Sequence, residues 1–127
     1  MGLWTSNSML LTEKSIDYLW NKQEVSANNI ANIETPGFKG SYLTFEEEMR
    51  DRMGKLKKRD TQNIRNTILD VQPRMHFTKN EAKRLDGNNV DIVAEHAEMA
   101  KSGIQYEYAI RAIGDDFTRL RTAIKGT

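Results

Sequence analysis

The C-terminal third of the chain carries a hydrophobic repeat that leaves little choice of conformation. Ile92, Met99, Tyr106, Ile113 and Leu120 recur every seventh residue, and His96, Gly103, Ile110, Phe117 and Ile124 form a second series offset by four. Together they predict an a/d heptad seam, which only a long helix places on one side. At 1.5 Å per residue that helix would run roughly 50 Å, long for a compact domain of this size. Asp91 is suited to cap its start, Glu95 favours the first turn, and Lys125-Gly126 supplies a basic residue and a stop. His96 and Gly103 are the weak positions: the glycine implies a close helix approach or a local bend, and the histidine a packed ring at a helix interface.

A second helix is predicted near the N-terminus, capped near Ser8. Met9, Ile16, Trp20, Gln23, Ala27 and Ile30 share one face, and Leu11, Tyr18 and Val25 add a stripe beside it. A helix apolar on more than one side needs more than one neighbour. The C-terminal helix can be one, and no third long helix is legible to be another. The helix is expected to end in Asn28-Asn29-Ile30-Ala31-Asn32-Ile33-Glu34-Thr35-Pro36-Gly37-Phe38. Pro36 pushes Thr35 out of the helical region, and Pro-Gly fits the two central positions of a type II turn.

Composition matters here because it is uneven. From Ser8 to Ile33, 12 of 26 residues are hydrophobic; from Glu46 to Asp86 only 11 of 41 are, with 19 charged; from Asp91 to Ile124 the count returns to 17 of 34. Two apolar arms flank a polar middle, giving an expected division into 1–38, 39–90 and 91–127. Phe38 to Phe45 reads as a short extended piece, and Glu46 to Met53 as a helical turn or two with Glu46–Arg50 and Glu48–Arg52 pairs. Beyond Gly54 no period is sustained, Ile64 to Val71 hints at a strand, and much of the stretch is expected to be loosely ordered in the free protein. Asp86-Gly87-Asn88-Asn89 reads as a turn into the last helix. The expected fold class is therefore mainly α: two long terminal helices pairing as an α-helical coiled coil, with a polar, partly extended or disordered middle.

Chemistry is sparse. With 19 basic residues against 18 acidic ones, no chain-wide field recruits nucleic acid, and the absence of cysteine excludes disulfides, thiol nucleophiles and Cys-based zinc sites. His76 and His96 have no acidic partner forced beside them by spacing, so no metal is expected. Adjacent glutamates at Glu46-Glu47-Glu48 diverge on a helix, and no phosphate loop or G-x-S-x-G is present, so no catalytic residue, cofactor or small-molecule substrate is expected. Lys55, Lys57, Lys58 and Arg59 are bracketed by Asp51 and Asp60 without interleaved aromatics and read as a solvated loop. Trp4 suits either a membrane interface or a neighbouring chain. The polar run Thr5-Ser6-Asn7-Ser8 interrupts any Sec-type signal, so work outside the cytoplasm would require another export route.

The segment Ala27 to Phe38 resembles the A-x-N-I-A-N-x-x-T-P-G-[FY] signature of bacterial flagellar rod, hook and related axial proteins, carried here by Asn28, Asn29, Ile30, Ala31, Asn32, Thr35, Pro36, Gly37 and Phe38. Asp86-Gly87-Asn88-Asn89-Val90-Asp91, followed by Glu95, Met99 and Ile104-Gln105-Tyr106, is similar to the opening of the last helix in proximal rod subunits. The resemblance covers both arms, about half of the chain. It implies a building block of the rod that crosses the periplasm, exported unfolded through the flagellar type III gate without a cleaved signal. It also implies other rod proteins, the rod–MS-ring junction protein and further copies of the chain as partners. Phe45-Glu46-Glu47-Glu48-Met49 resembles the F-x-x-x-apolar motif read at that gate.

The resulting expectation is a structural subunit needed for motility. Its helix-packing seam is Ile92, Met99, Tyr106, Ile110, Ile113, Phe117, Leu120 and Ile124, and its hinge is Asn28, Asn29, Asn32, Thr35, Pro36 and Gly37. A cytoplasmic coiled-coil adaptor, or another rod subunit of similar size, is the alternative.

Overall fold

A computed structural model describes residues 6–78 and 87–126. Helix α1, Asn7–Ala31, is capped two residues before the expected position, because the Ser6 side chain accepts the amide of Met9 at 3.1 Å. Helix α4, Ile92–Lys125, starts and stops where its caps predict. Asp91 accepts the Ala94 amide at 3.2 Å, and Gly126 closes the helix at φ +72°. Between the two lie strand β1 (Ser41–Thr44), helices α2 (Glu46–Gly54) and α3 (Thr61–Asp70), and strand β2 (Arg74–Phe77). No helix among the described residues is long and apolar enough to cross a membrane.

The long helices pack antiparallel. Asn29 meets Glu95 at 3.0 Å, Lys22 meets Glu98 at 3.1 Å, and Trp20 meets Tyr106 at 5.9 Å between rings, so partner numbers on α4 rise as those on α1 fall. The α4 face turned inward runs Glu95, Met99, Ser102, Tyr106, Ala109, Ile113, Asp116 and Leu120. This keeps the first heptad series from Met99 onward, leaves Ile92 exposed, and replaces the second by residues one position earlier. His96, expected to pack at a helix interface, is exposed, as are Ile110, Phe117 and Ile124. The reason is local: Gln23 donates to the Met99 carbonyl at 2.7 Å and to the Ser102 hydroxyl at 2.8 Å, and the fully buried Ser102 and the small Ala109 let α1 come close. Gly103 sits beside this approach, where a Cβ would lie 3.4 Å from Gln23 Nε2.

The second neighbour that α1 needs is the middle of the chain: the described part of the stretch beyond Gly54, where no period is sustained, carries α3 and β2 and adds Ile68 and Val71 to the core. Leu10, Tyr18 and Leu19 of α1 form one buried cluster with Phe45, Met49, Ile68 and Val71 of the middle, and Tyr106 and Ala109 of α4 pack against it. Tyr18 and Phe45 stack at 5.2 Å, and the Tyr18 hydroxyl donates to the Leu43 carbonyl. Each large side chain so buried contributes about 1.5–3 kcal/mol before the entropy of ordering its segment is subtracted.

The strand expected over Ile64 to Val71 is instead α3 and its C-cap. Ile64, Thr67, Ile68 and Val71 lie on one helical face, a pattern that a short apolar run cannot separate from a buried strand. Asp60 caps the helix by accepting the Asn63 amide at 2.8 Å. Its other end is capped from α1, where the Lys14 ammonium donates to the carbonyls of Ile68 (2.6 Å), Leu69 (3.0 Å) and Val71 (2.5 Å). The acidic run also pairs differently from the expected i,i+4 scheme. Glu48 faces Arg74 at 3.4 Å, and Arg52 pairs with Asp70, so the charges tie α2 to β2 and α3.

Strands β1 and β2 are antiparallel, with Ser41 opposite Phe77 and Thr44 opposite Arg74. Tyr42 stacks on His76 at 5.2 Å, and Thr44 shares a hydrogen bond with the same ring at 2.9 Å. The basic cluster is exposed, with Lys55 on Asp51 at 2.7 Å and Lys58 near Asp60 at 3.5 Å. Trp4 lies outside the described residues.

Candidate functional site

The sequence features singled out as most specific, the Asn-rich turn after α1 and the Gly-Asn-Asn segment before α4, meet in space. The chain unwinds after Ala31 through successive tight turns, with Ile33 N on Ile30 O (3.2 Å), Thr35 N on Asn32 O (3.0 Å) and Phe38 N on Thr35 O (3.2 Å). The last of these encloses Pro36 and Gly37, and Gly37 at φ +73° takes the position that a type II turn reserves for a residue with positive φ. The opposing loop crosses here. Gly87 also has positive φ, and a Cβ on it would sit 3.3 Å from the Gly37 Cα.

Three buried asparagines hold the crossing by acting as extra peptide groups. The Asn88 amide, fully buried, donates to the carbonyls of Asn32 (2.8 Å), Ile33 (3.0 Å) and Thr35 (2.9 Å), while its Oδ1 accepts the Val90 amide. It thereby adds a second donor to the Asn32 and Thr35 carbonyls, which already close tight turns, and ties the segment that unwinds after α1 to the loop ahead of α4. Asn89 accepts the Gly40 amide at 2.8 Å and donates to Thr78 O at 3.2 Å, joining the ends of both strands. Asn29 forms a two-way bond with Ser41, accepting its amide at 3.0 Å and donating to its carbonyl at 2.7 Å. Asn32 and Thr35 add an outer layer, Asn32 bonding back to Asn28 O and Thr35 Oγ1 to Asn32 Oδ1. Such polar groups cost free energy to bury unless paired, so removing one leaves its partners orphaned.

Glu95 is the charge at this junction. Its Oε1 accepts from Asn29 at 3.0 Å. Burial pushes its pKa up from 4.5, with Glu98 and Asp91 adding to the rise, while hydrogen bonds from Asn29 and Ser26 oppose it. Nearby, burial works against the Lys22 charge, yet the hydrogen bond to Glu98 and the adjacent Tyr18 outweigh it and hold its pKa above the ordinary value. The arrangement is one of positioning: it fixes the direction of α1 relative to β1 and to the start of α4.

Of the motif residues, the structure buries Asn29 and half-buries Ile30, Asn32 and Phe38, while Asn28, Ala31, Thr35, Pro36 and Gly37 remain exposed. The seam residues divide, with Met99, Tyr106, Ile113 and Leu120 turned toward α1 and Ile92, Ile110, Phe117 and Ile124 exposed. Phe45 and Met49 are core residues in the folded chain. Sequence reasoning did not find the roles of Asn88 and Asn89, read only as turn formers, nor of Lys14. The available signal was two consecutive asparagines just ahead of an N-cap, where one turn former would suffice.

Comparisons with known proteins bear on the same segment. The family described as "Flagella basal body rod protein" matches residues 20–39, the second half of α1 and its turn. The flagellar basal body rod protein FlgB of Borrelia hermsii is 30% identical over 93% of this chain and 96% of its own. FlgB of Bacillus subtilis (strain 168) is 29% identical over 83% of each chain, and FlgB of Escherichia coli (strain K12) 26% over 80% of each. A likeness that runs nearly end to end, and a family match centred on the turn that the asparagines hold, lead to one conclusion: the chain belongs to the FlgB family of flagellar basal body rod proteins.

Proposed function

We propose that this structural rod subunit builds the proximal rod by helix packing, with α1 and α4 pairing as a coiled coil and their remaining apolar faces buried against neighbouring subunits. The observation that carries the reading is the exposed side of α4. Ile104, Tyr108, Ile110, Phe117 and Ile124 are 43–71% exposed in a chain whose core is already closed elsewhere. Burying such side chains between subunits yields roughly 25 cal/mol per Å². Heterologous contacts, in which different patches meet, extend into an open helix rather than a closed ring. Other rod proteins, the rod–MS-ring junction protein and further copies of the chain are the proposed neighbours.

Asn28, Asn29, Asn32, Thr35, Pro36 and Gly37 act in this reading as the joint that aims α1. The chain leaves the cell through the type III gate without a cleaved signal, and the gate reads Phe45 and Met49. Their burial in the folded chain means that only an unfolded chain can present them. Immunoblotting of detergent-resistant basal bodies tests the reading: the chain is expected in that fraction. A cytoplasmic coiled-coil adaptor would stay in the soluble fraction, and that result would sink the rod assignment.

A further inference from the structure

We propose that the side of the helix pair between Trp20 and Ile104 is a socket for a second copy of this chain, filled by the C-terminal end of that copy's α4. The socket is a groove of about 740 Å³ floored by Trp20, Ala27, Met99, Gly103, Ile104 and Tyr106. Trp20 is 55% exposed and Ile104 59% exposed, and Gly103 leaves the floor without a side chain. Two acidic residues line the groove, Glu24 from α1 and Glu107 from α4.

The end of α4 has the complementary make-up. Gly103, Glu107, Ile110, Gly114, Phe117, Arg121 and Ile124 follow one another at alternating steps of four and three and so lie on one stripe of the helix. The stripe starts at Gly103 and Glu107 of the socket and continues into the plug. In the plug, Phe117 (55% exposed) and Ile124 (63% exposed) flank the exposed Arg121, with Lys125 beside them. An apolar floor with an acidic rim meets an apolar ridge with basic flanks, and the steering and register that charge supplies favour this pairing over socket on socket or plug on plug.

Socket and plug are centred about 17 residues apart, so a copy seated this way is displaced by about 26 Å along the helix axis. Each copy keeps a free socket at one end and a free plug at the other, which makes the contact heterologous and open-ended. The proposal rests on the rod reading and adds to it the identity of one neighbour and the stagger between them.

The chain has no cysteine, so introduced thiols report alone. The test replaces the natural chain in cells with Ile104→Cys/Ile124→Cys, or with either single change, both positions being solvent-exposed. Basal bodies are isolated, oxidised and immunoblotted without reductant. The double variant should give a ladder of dimers and higher multiples, and each single variant should stay monomeric. Glu107→Lys added to the double variant should cut ladder yield about two- to fivefold, as expected for an exposed ion pair, and adding Arg121→Glu as well should restore it. A chain present in basal bodies without the ladder overturns the socket while leaving the rod reading intact. Dimers from a single variant would mean like faces like, which also overturns it. Wild-type chain absent from basal bodies would remove the rod reading and the socket together.

Discussion

The two ends of α4 differ in kind. Around Glu95 the helix is held by Asn29, with Asn88 and Asn89 locking the loop just ahead of it in hydrogen bonds whose partners all belong to the same chain. Toward the other end Ile110, Phe117 and Ile124 are 43–63% exposed on the side of the helix away from α1. The contrast teaches that polar and apolar residues have exchanged their usual duties. Buried amides fix the shape of the subunit, because hydrogen bonds are directional and an orphaned buried donor is costly. Exposed hydrophobes are left to assembly, because their attraction is non-directional and scales with area.

Substitutions can break that contrast. Asn88→Ala is expected to have the largest effect on folding, about 3 kcal/mol, because it removes a fully buried amide that donates to three carbonyls and accepts the Val90 amide. Urea unfolding followed by circular dichroism measures it, and a loss below about 1 kcal/mol would mean that water or a local shift replaces the amide. Lys14→Ala should cost about 2 kcal/mol by uncapping α3, whereas an equally stable variant would show that the three carbonyls do not need the ammonium. Gly37→Val forces a β-branched residue to φ +73° and should cost about 1–2 kcal/mol. Wild-type assembly and motility in that variant would argue against the turn as an aiming joint.

At the other end of the helix, Phe117→Ser should change the stability of the isolated chain by no more than about 0.5 kcal/mol while depleting it from basal bodies. A variant that unfolds as readily as Asn88→Ala would erase the distinction between the two ends. The smallest effect belongs to Glu95→Gln, which keeps an acceptor for Asn29 while removing the buried charge. Because the folded carboxyl holds its proton above the ordinary 4.5, its favourable contribution is complete below that value and is lost as pH rises through the higher folded value. The variant should therefore be slightly more stable than the parent at neutral pH, with the two curves converging as the pH falls. Parallel curves would assign the pH dependence to other groups.

Much of α4 was legible because its signals are local: a heptad period, an aspartate cap at Asp91 and a glycine stop at Gly126. The turn after α1 was legible for the same reason, Pro36 and Gly37 restricting the backbone from within. What the sequence hid is long-range. Asn88 reaches carbonyls more than fifty positions away, and Lys14 reaches equally far to cap α3; nothing in either neighbourhood names the partner. The core role of Ile68 and Val71 was hidden because one helical face of a ten-residue helix looks like a strand. The second heptad series misled because it is the more apolar of two adjacent stripes, whereas the one that meets α1 carries Glu95, Ser102, Ala109 and Asp116, and the Gln23–Ser102 hydrogen bond helps select it.

The position of Asn88 also sets a timetable. A chain that emerges N-terminus first, from a ribosome or a narrow channel, can form α1 and gather Phe45, Met49, Ile68 and Val71 around it while the loop-closing partner is still inside. The carbonyls of Asn32, Ile33 and Thr35 gain the Asn88 amide only once Asn88 clears the exit, so a contact that closes a loop of more than fifty residues forms late. The sticky half of α4 follows last of all, which delays self-association until the subunit has the means to hold its own shape.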